Sequence, residues 1–144
     1  MDDLLDDFQL EKDIENAEHA GFWNRVAASI IDSIIIGLPL GLLSFVIGIN
    51  NEEGLTNLIS ILVNWLYNVL QETSTSKATI GKKALGIEVV DINGEKLTFS
   101  RATGRLFGKY ISALILGIGF IMAGFTEKKQ ALHDIMANTL VIKK

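Results

Sequence analysis

The sequence contains no cysteine and only one proline, and long stretches of the chain carry no charge. The absence of cysteine excludes disulfide frameworks, thiolate zinc sites, thiol nucleophiles and iron–sulfur clusters. A pI near 5.1, without a basic cluster interleaved with aromatic residues, argues against nucleic-acid binding. Hydrophobic residues make up 49% of the chain and are gathered into separate runs. The distribution of charge is therefore more informative than the composition.

Three apolar runs are almost free of charge. Asp32 is the only charged residue between residues 26 and 51, and residues 54–71 and 110–126 carry none. Such gaps in a chain of 144 residues indicate an integral membrane protein in contact with the lipid bilayer. We predict a mainly α-helical membrane protein with about three transmembrane helices, over residues 26–49, 55–71 and 106–126.

The first twenty residues form a distinct acidic segment, with eight Asp or Glu residues against one Lys. We expect residues 1–20 to be a solvated tail or a short surface helix. An alternative interpretation is an arm that docks a basic cytosolic protein. Residues 21–144 would then form the membrane domain.

A polar loop over residues 72–105 separates the second and third apolar runs. Within it, Ala84–Ile92 and Glu95–Ser100 flank Asn93-Gly94. Because Asn-Gly suits a type I′ turn, this pattern predicts a small cytoplasmic β-hairpin.

The membrane topology has two interpretations. With three crossings, nine Lys and Arg residues lie on the side of the N-terminus and four on the other, which places the N-terminus in the cytoplasm of a multi-pass cell-membrane protein. Thr139–Ile142 also resembles a strand. If it pairs with the predicted hairpin, residues 105–126 would instead form a re-entrant helical hairpin, bent at Gly117–Gly119.

Asp32 lies about two turns into the first predicted span, where a lone ionised carboxylate is costly. Arg25 is seven residues away and points elsewhere on the helix, so we expect Asp32 to meet a donor from another segment. Both a structural hydrogen-bond partner and an ion or proton site fit this position. Asn57, Asn64 and Asn68 share one face of the second span, either joining helices or lining a polar pathway.

Small residues are spaced for close helix packing. Gly37 and Gly41 form a GxxxG pair and share a face with Gly48, while Ala113 and Gly117 lie one turn apart in the third run. Small side chains let a second helix approach closely within a membrane. These faces predict a homo-oligomer or a membrane partner.

His133 and Asp134 follow the third apolar run. No serine or cysteine nucleophile can be placed beside them, and the chain has only two histidines. A hydrolytic triad and a metal site are therefore not expected, and helix capping or a structural ion pair is the plainer interpretation. The sequence predicts neither an enzyme nor a cofactor.

Several separated motifs resemble the RDD family of small bacterial membrane proteins. They are Gly21–Ala28 with Ile31-Asp32, Thr79–Lys82, Gly86–Asp91, Gly94, Arg101-Ala102, Arg105, Gln130–Asp134 and Ala137–Val141. The resemblance covers about residues 20–143, with Asn138 where many members have glycine. It implies that Arg25, Asp32 and Asp134 are the arginine and two aspartates that name the family. It also implies transport, since some members are linked to cation/proton exchange.

Two functional hypotheses follow. In the first, Asp32, Asp134 and the asparagine face, with His133 nearby, carry cations, protons or a small ligand through an oligomer. A carboxylate with a raised pKa can bind a proton or a cation in competition, which is the basis of exchange. In the second, the protein is a non-transporting scaffold or accessory subunit, and the same residues only hold helices together.

Overall fold

The computed structural model describes residues 1–48, 53–115 and 117–143. The elements follow one another as α1 (Asp2–Asn16), α2 (Phe22–Ile47), α3 (Glu53–Glu72), α4 (Ile80–Ala84), β1 (Ile87–Asp91), α5 (Phe99–Leu114), α6 (Ile118–Ile121), α7 (Leu132–Ala137) and β2 (Thr139–Lys143). A short 3₁₀ turn, Met122–Gly124, extends α6.

The longest helix is α2, which runs through Pro39 and ends where Gly48 adopts a left-handed φ of 73°. Its buried residues are Ala28 and Asp32, so most of its apolar side chains face outward. Among the described helices, α2 alone is both long and apolar enough to cross a bilayer without a break. The first predicted span therefore stands, although residue 49 lies outside the described residues.

Three transmembrane helices are not confirmed. The second predicted span is a helix of 20 residues, α3, but it does not reach the apolar character of α2. The third is broken, because α5 and the segment Ile118–Gly124 meet at 116°. Gly117 has a left-handed φ of 74° at this break, a conformation that glycine adopts at little cost.

The predicted β-hairpin is wrong in its second strand. A turn follows β1, since the Asp91 carboxylate accepts hydrogen bonds from the backbone N–H groups of Asn93 (2.8 Å) and Glu95 (3.0 Å), but Asn93 lacks the positive φ of a type I′ turn. Thr98 then accepts a hydrogen bond from the backbone N–H of Arg101 and caps α5. Apart from one backbone hydrogen bond from the Asp91 N–H to the Glu95 carbonyl, the residues after the turn therefore lead into a helix and do not pair with β1.

The partner of β1 is β2, and the two strands pair antiparallel with Val89 opposite Val141. Residues 18–20 run along the other edge of β2. The backbone N–H of Ala20 donates to the Val141 carbonyl at 2.8 Å, and that of Lys143 donates to the Glu18 carbonyl at 2.7 Å. Three segments that are distant in sequence thus lie side by side.

The acidic N-terminal segment forms α1, and its one buried residue is Ile14. Ile14 packs with Val90 and Leu140 in a small apolar cluster on the sheet. The carboxylates of α1 remain exposed. One apolar side chain therefore fixes a charged helix against the β1–β2 pair.

The small residues predicted to pack closely have no close-packed helix against them within the described chain. A Cβ placed on Gly37, Gly41, Gly48 or Gly117 would meet no described heavy atom within 4 Å. Ala113 is exposed. The prediction that these faces contact a second molecule stays a prediction.

Close packing occurs at other glycines. A Cβ on Gly81 would overlap the Ala28 carbonyl oxygen and lie 2.8 Å from the carboxyl carbon of Asp32. A Cβ on Gly108 would lie 2.8 Å from the His133 Cβ. Gly81 thus lets α4 rest directly on α2, and Gly108 lets α5 and α7 touch.

Replacing Gly81 by alanine should separate α4 from α2. We expect Gly81→Ala to destabilise the protein by about 1–3 kcal/mol, the usual range for overpacking. Gly104→Ala is the matched control, because Gly104 lies within α5 with open space around its Cβ position. That change should be neutral or stabilising by about 0.5–1 kcal/mol. Thermal unfolding of both variants in the same detergent checks this, and equal melting temperatures would contradict it.

Candidate functional site

Asp134 is the centre of a buried charge cluster. It lies in the first turn of α7 and is fully buried. Its Oδ2 forms an ion pair with Arg25 Nη1 and accepts the Ala131 backbone N–H at 3.0 Å. Its Oδ1 lies 2.8 Å from Arg105 Nη2 and also accepts from Arg105 Nε at 3.0 Å. Two guanidinium groups therefore share one carboxylate.

The cluster continues beyond Arg105 to a second buried carboxylate. Arg105 Nη1 donates to Glu72 Oε1 at 2.8 Å, and the Lys82 ammonium pairs with the same oxygen. Charges therefore alternate along the series Arg25, Asp134, Arg105, Glu72 and Lys82. Each buried charge has an opposite partner, which such groups need away from water.

Sequence reasoning missed the second half of this cluster. Glu72 ends α3, Lys82 lies in α4 and Arg105 lies in α5, so nothing local joins them. The available signal is their position, because each lies in the polar stretch between two apolar runs. All three are buried in the structure.

The cluster determines which groups carry charge at neutral pH. Burial alone would disfavour ionised Asp134, but Arg105 and Arg25 outweigh it and hold the pKa of this carboxyl below its ordinary value. Burial, together with the nearby Arg105, lowers the pKa of His133 to about 2. His133 is therefore a neutral imidazole. Its Nδ1 is buried and has no hydrogen-bond partner among the described residues.

Asp32 forms a separate site on α2. Its Oδ1 accepts from the Tyr67 hydroxyl at 2.7 Å and from the Gly81 backbone N–H at 2.8 Å. Its Oδ2 accepts from the Thr79 hydroxyl at 2.6 Å. The expectation of donors from other segments is confirmed, and none of them is Arg25. Neutral donors therefore solvate this carboxylate in place of water.

The signature arginine also holds the backbone. Besides its ion pair with Asp134, Arg25 Nη2 donates to the Lys129 carbonyl at 2.7 Å and Nε donates to the Ala20 carbonyl at 3.2 Å. Arg25 and Asp134 thus meet directly, whereas Asp32 has partners of its own. The three signature residues do not form one pocket.

The supporting asparagines are only partly engaged. The Asn68 amide nitrogen donates to the Asn64 carbonyl at 2.9 Å and contacts its side-chain oxygen at 3.2 Å. Asn57 is exposed, nearer the other end of α3. Whether these asparagines join helices or line a polar pathway stays a prediction. Within the described residues, no group of three His, Asp or Glu side chains is placed to hold a metal ion.

These features define a mainly helical protein. Its long apolar helix, α2, is joined by buried polar side chains to α4, α5 and α7. The model of the RDD family matches residues 19–138, most of the chain. The chain belongs to the RDD family. No solved structure matches it.

Three relatives come from Bacillus subtilis (strain 168). "Uncharacterized protein YxaI" is 37% identical, over 87% of this chain and 97% of its own. "Uncharacterized protein YckC" is 29% identical, over 85% and 83%. "Uncharacterized membrane protein YteJ" is 30% identical, over 92% and 85%. The name of the third agrees with the apolar α2.

Removal of the central carboxylate should uncouple the cluster. Asp134→Asn leaves Arg25 and part of Arg105 without a counter-charge, and breaking a buried pair in this way costs about 3–5 kcal/mol. We expect a large fall in melting temperature or loss of folded protein. Glu18→Gln is the control, because the pair of Glu18 with Lys143 is exposed. It should leave the melting temperature nearly unchanged, because water and salt screen exposed pairs. Similar losses in the two variants would show that Asp134 is not structurally central.

Proposed function

We propose that the protein is a multi-pass membrane module that neither transports ions nor catalyses a reaction, and that it serves as a scaffold or accessory subunit. The observation that carries this proposal is the occupancy of the signature carboxylates. Both oxygens of Asp32 and both oxygens of Asp134 are engaged by donors from the protein.

An exchanging carboxylate must release its protein partners in order to bind a cation. Asp134 would have to leave two guanidinium groups, so that Arg25 would lose its counter-charge and Arg105 would keep only Glu72. The contacts of Asp134 therefore fit a structural role better than the role of an ion-carrying group. In this proposal Arg25 and Asp134 attach α7 to α2, and Asp32 attaches residues 79–81.

The pairing of distant segments supports a two-crossing topology. Residues 18–20, β1 and β2 are hydrogen-bonded to one another, so they belong on one side of the membrane. An even number of crossings must then separate them. We propose that α2 and α3 cross as a pair, and that α5 and α6 enter and return on the side they started from.

The distribution of positive charge supports the same topology. Residues 26–76 contain no Lys or Arg, so all 13 in the chain fall on the side of the N-terminus. Cytoplasmic segments are the ones enriched in these residues. In this proposal, residues 18–20, β1 and β2 are therefore cytoplasmic.

Two surfaces are available for partners. The first is the acidic face of α1, which Ile14 holds against the sheet and which suits a basic cytosolic protein. The second is the face with Gly37 and Gly41, which suits a second copy within the membrane.

Single-cysteine labelling tests the topology without background, because the chain has no cysteine of its own. In intact cells, an impermeant maleimide should label Gly54→Cys and leave Ser100→Cys and Lys128→Cys unlabelled until the membrane is opened. All three positions are exposed in the structure. Labelling of Lys128→Cys in intact cells would instead support three crossings.

Cation/proton exchange is a second candidate, and one observation favours it. The hydroxyl oxygens of Tyr67 and Thr79 lie 2.7 and 2.6 Å from the Asp32 carboxylate. Oxygens grouped in this way can ligate a hard cation if their hydrogen bonds rearrange. Asp32 would be the carrier group in this mechanism.

Counterflow in liposomes separates the two candidates. Sodium, lithium or potassium pulses are applied against a preset pH gradient, with an ionophore that exchanges sodium for protons as the positive control. We expect the wild type to behave like empty liposomes, because its signature carboxylates are already occupied. Cation-driven collapse of the gradient that Asp32→Asn abolishes, with the variant verified as folded, would overturn the scaffold proposal.

A further inference from the structure

A cavity of about 570 Å³ lies beside α2 and is enclosed on other sides by α5, α6 and α7. This volume falls within the range of about 300–1,000 Å³ that is typical of small-molecule sites. One wall is apolar and includes Phe22, Val26, Ile30, Phe120 and Ile121. Such a wall suits a hydrocarbon chain.

The polar part of the cavity carries an excess of positive charge. Four basic side chains line it, and they are Arg25, Lys82, Arg105 and Lys109. The three that form ion pairs, Arg25, Lys82 and Arg105, already outnumber their two partner carboxylates, Glu72 and Asp134. Buried charge without a counter-ion is costly, so the cavity favours an anion.

Two of its polar groups are unused. Lys109 makes no ion pair or hydrogen bond through its side chain with any described residue, although it is half-buried. His133 is 3% exposed, and its Nδ1 has no hydrogen-bond partner in the described part of the chain. Both side chains line the same cavity. A buried polar atom without a partner needs a physical explanation, and a bound molecule supplies one.

The apolar wall continues onto the outer surface of the membrane-span helix. Ile30 lines the cavity and is 56% exposed, and Ile34, one turn further along α2, is 59% exposed. A chain that lies against Phe22 and Val26 could therefore pass directly into the surrounding lipid. A free phosphate compound would satisfy the cations but would leave this wall empty.

We propose that the cavity binds one phosphate-headed lipid, with the phosphate at Lys109, the rest of the headgroup beside His133 and an acyl chain along Phe22, Val26 and Ile30. Lys109 in its protonated form supplies the counter-charge. Because His133 Nε2 lies 3.4 Å from Asp134 Oδ1, the proton of the neutral ring belongs on Nε2, and Nδ1 accepts a hydrogen bond from a headgroup hydroxyl. The lipid fills the apolar volume and compensates the positive charge in one step. This inference is independent of whether the protein transports ions.

Native mass spectrometry of the full chain in detergent tests the proposal. The probes are phosphatidylglycerol, the zwitterionic phosphatidylcholine, and inorganic phosphate. We expect a single phosphatidylglycerol to bind and to raise the melting temperature, with much weaker binding of the other two. Equal retention of phosphatidylcholine would overturn the charge argument, and equal binding of inorganic phosphate would overturn the lipid argument.

Matched lysine variants locate the site. Lys109→Met keeps an unbranched apolar side chain, breaks no described ion pair, and should weaken phosphatidylglycerol binding about tenfold, as the loss of a charge-assisted contact predicts. Lys96→Met removes an exposed lysine outside the cavity and should leave binding unchanged. Unchanged binding in folded Lys109→Met, or an equal loss in Lys96→Met, would overturn the assignment.

Discussion

The Asp134 carboxylate holds together parts of the chain that are far apart in sequence. It is shared by Arg25 at the start of α2 and Arg105 in α5, and Arg105 passes the connection on to Glu72 at the end of α3. Because these groups are buried, each depends on its neighbours for compensation. The membrane-span helix, the broken third run and the C-terminal segment are thus arranged around one set of charges.

The second buried contact between distant segments is at Asp32, where the hydrogen-bond donors are neutral groups. Tyr67, Thr79 and the Gly81 backbone together replace the water that a carboxylate would otherwise hold. Gly81 has two roles here, since it donates its N–H and also has no Cβ to hold α4 away from Ala28. An aspartate and a glycine almost fifty residues apart therefore form one contact.

The sequence was sufficient where a feature is local or costly. The long run with almost no charge predicts α2. The free-energy cost of an unpaired carboxylate in a membrane predicts that Asp32 meets hydrogen-bond donors from other segments. It was insufficient where the outcome depends on competition between distant segments. The hairpin failed because Thr98 caps a helix and β2 occupies the edge of β1. The partners of Arg105 could not be inferred, because no spacing rule relates residues 72, 105 and 134.

The edge contact between Ala20 and Val141 sets an order of events during synthesis. Residues 18–20 leave the ribosome long before β2 exists, so α2 must meet the membrane while the segment before it has no strand to join. Residues 18–20 and β1 can pair with β2 only after residue 141 has been synthesised. This pairing is therefore a late event that follows insertion, and a chain that stops short of β2 would present β1 and residues 18–20 as two open edges.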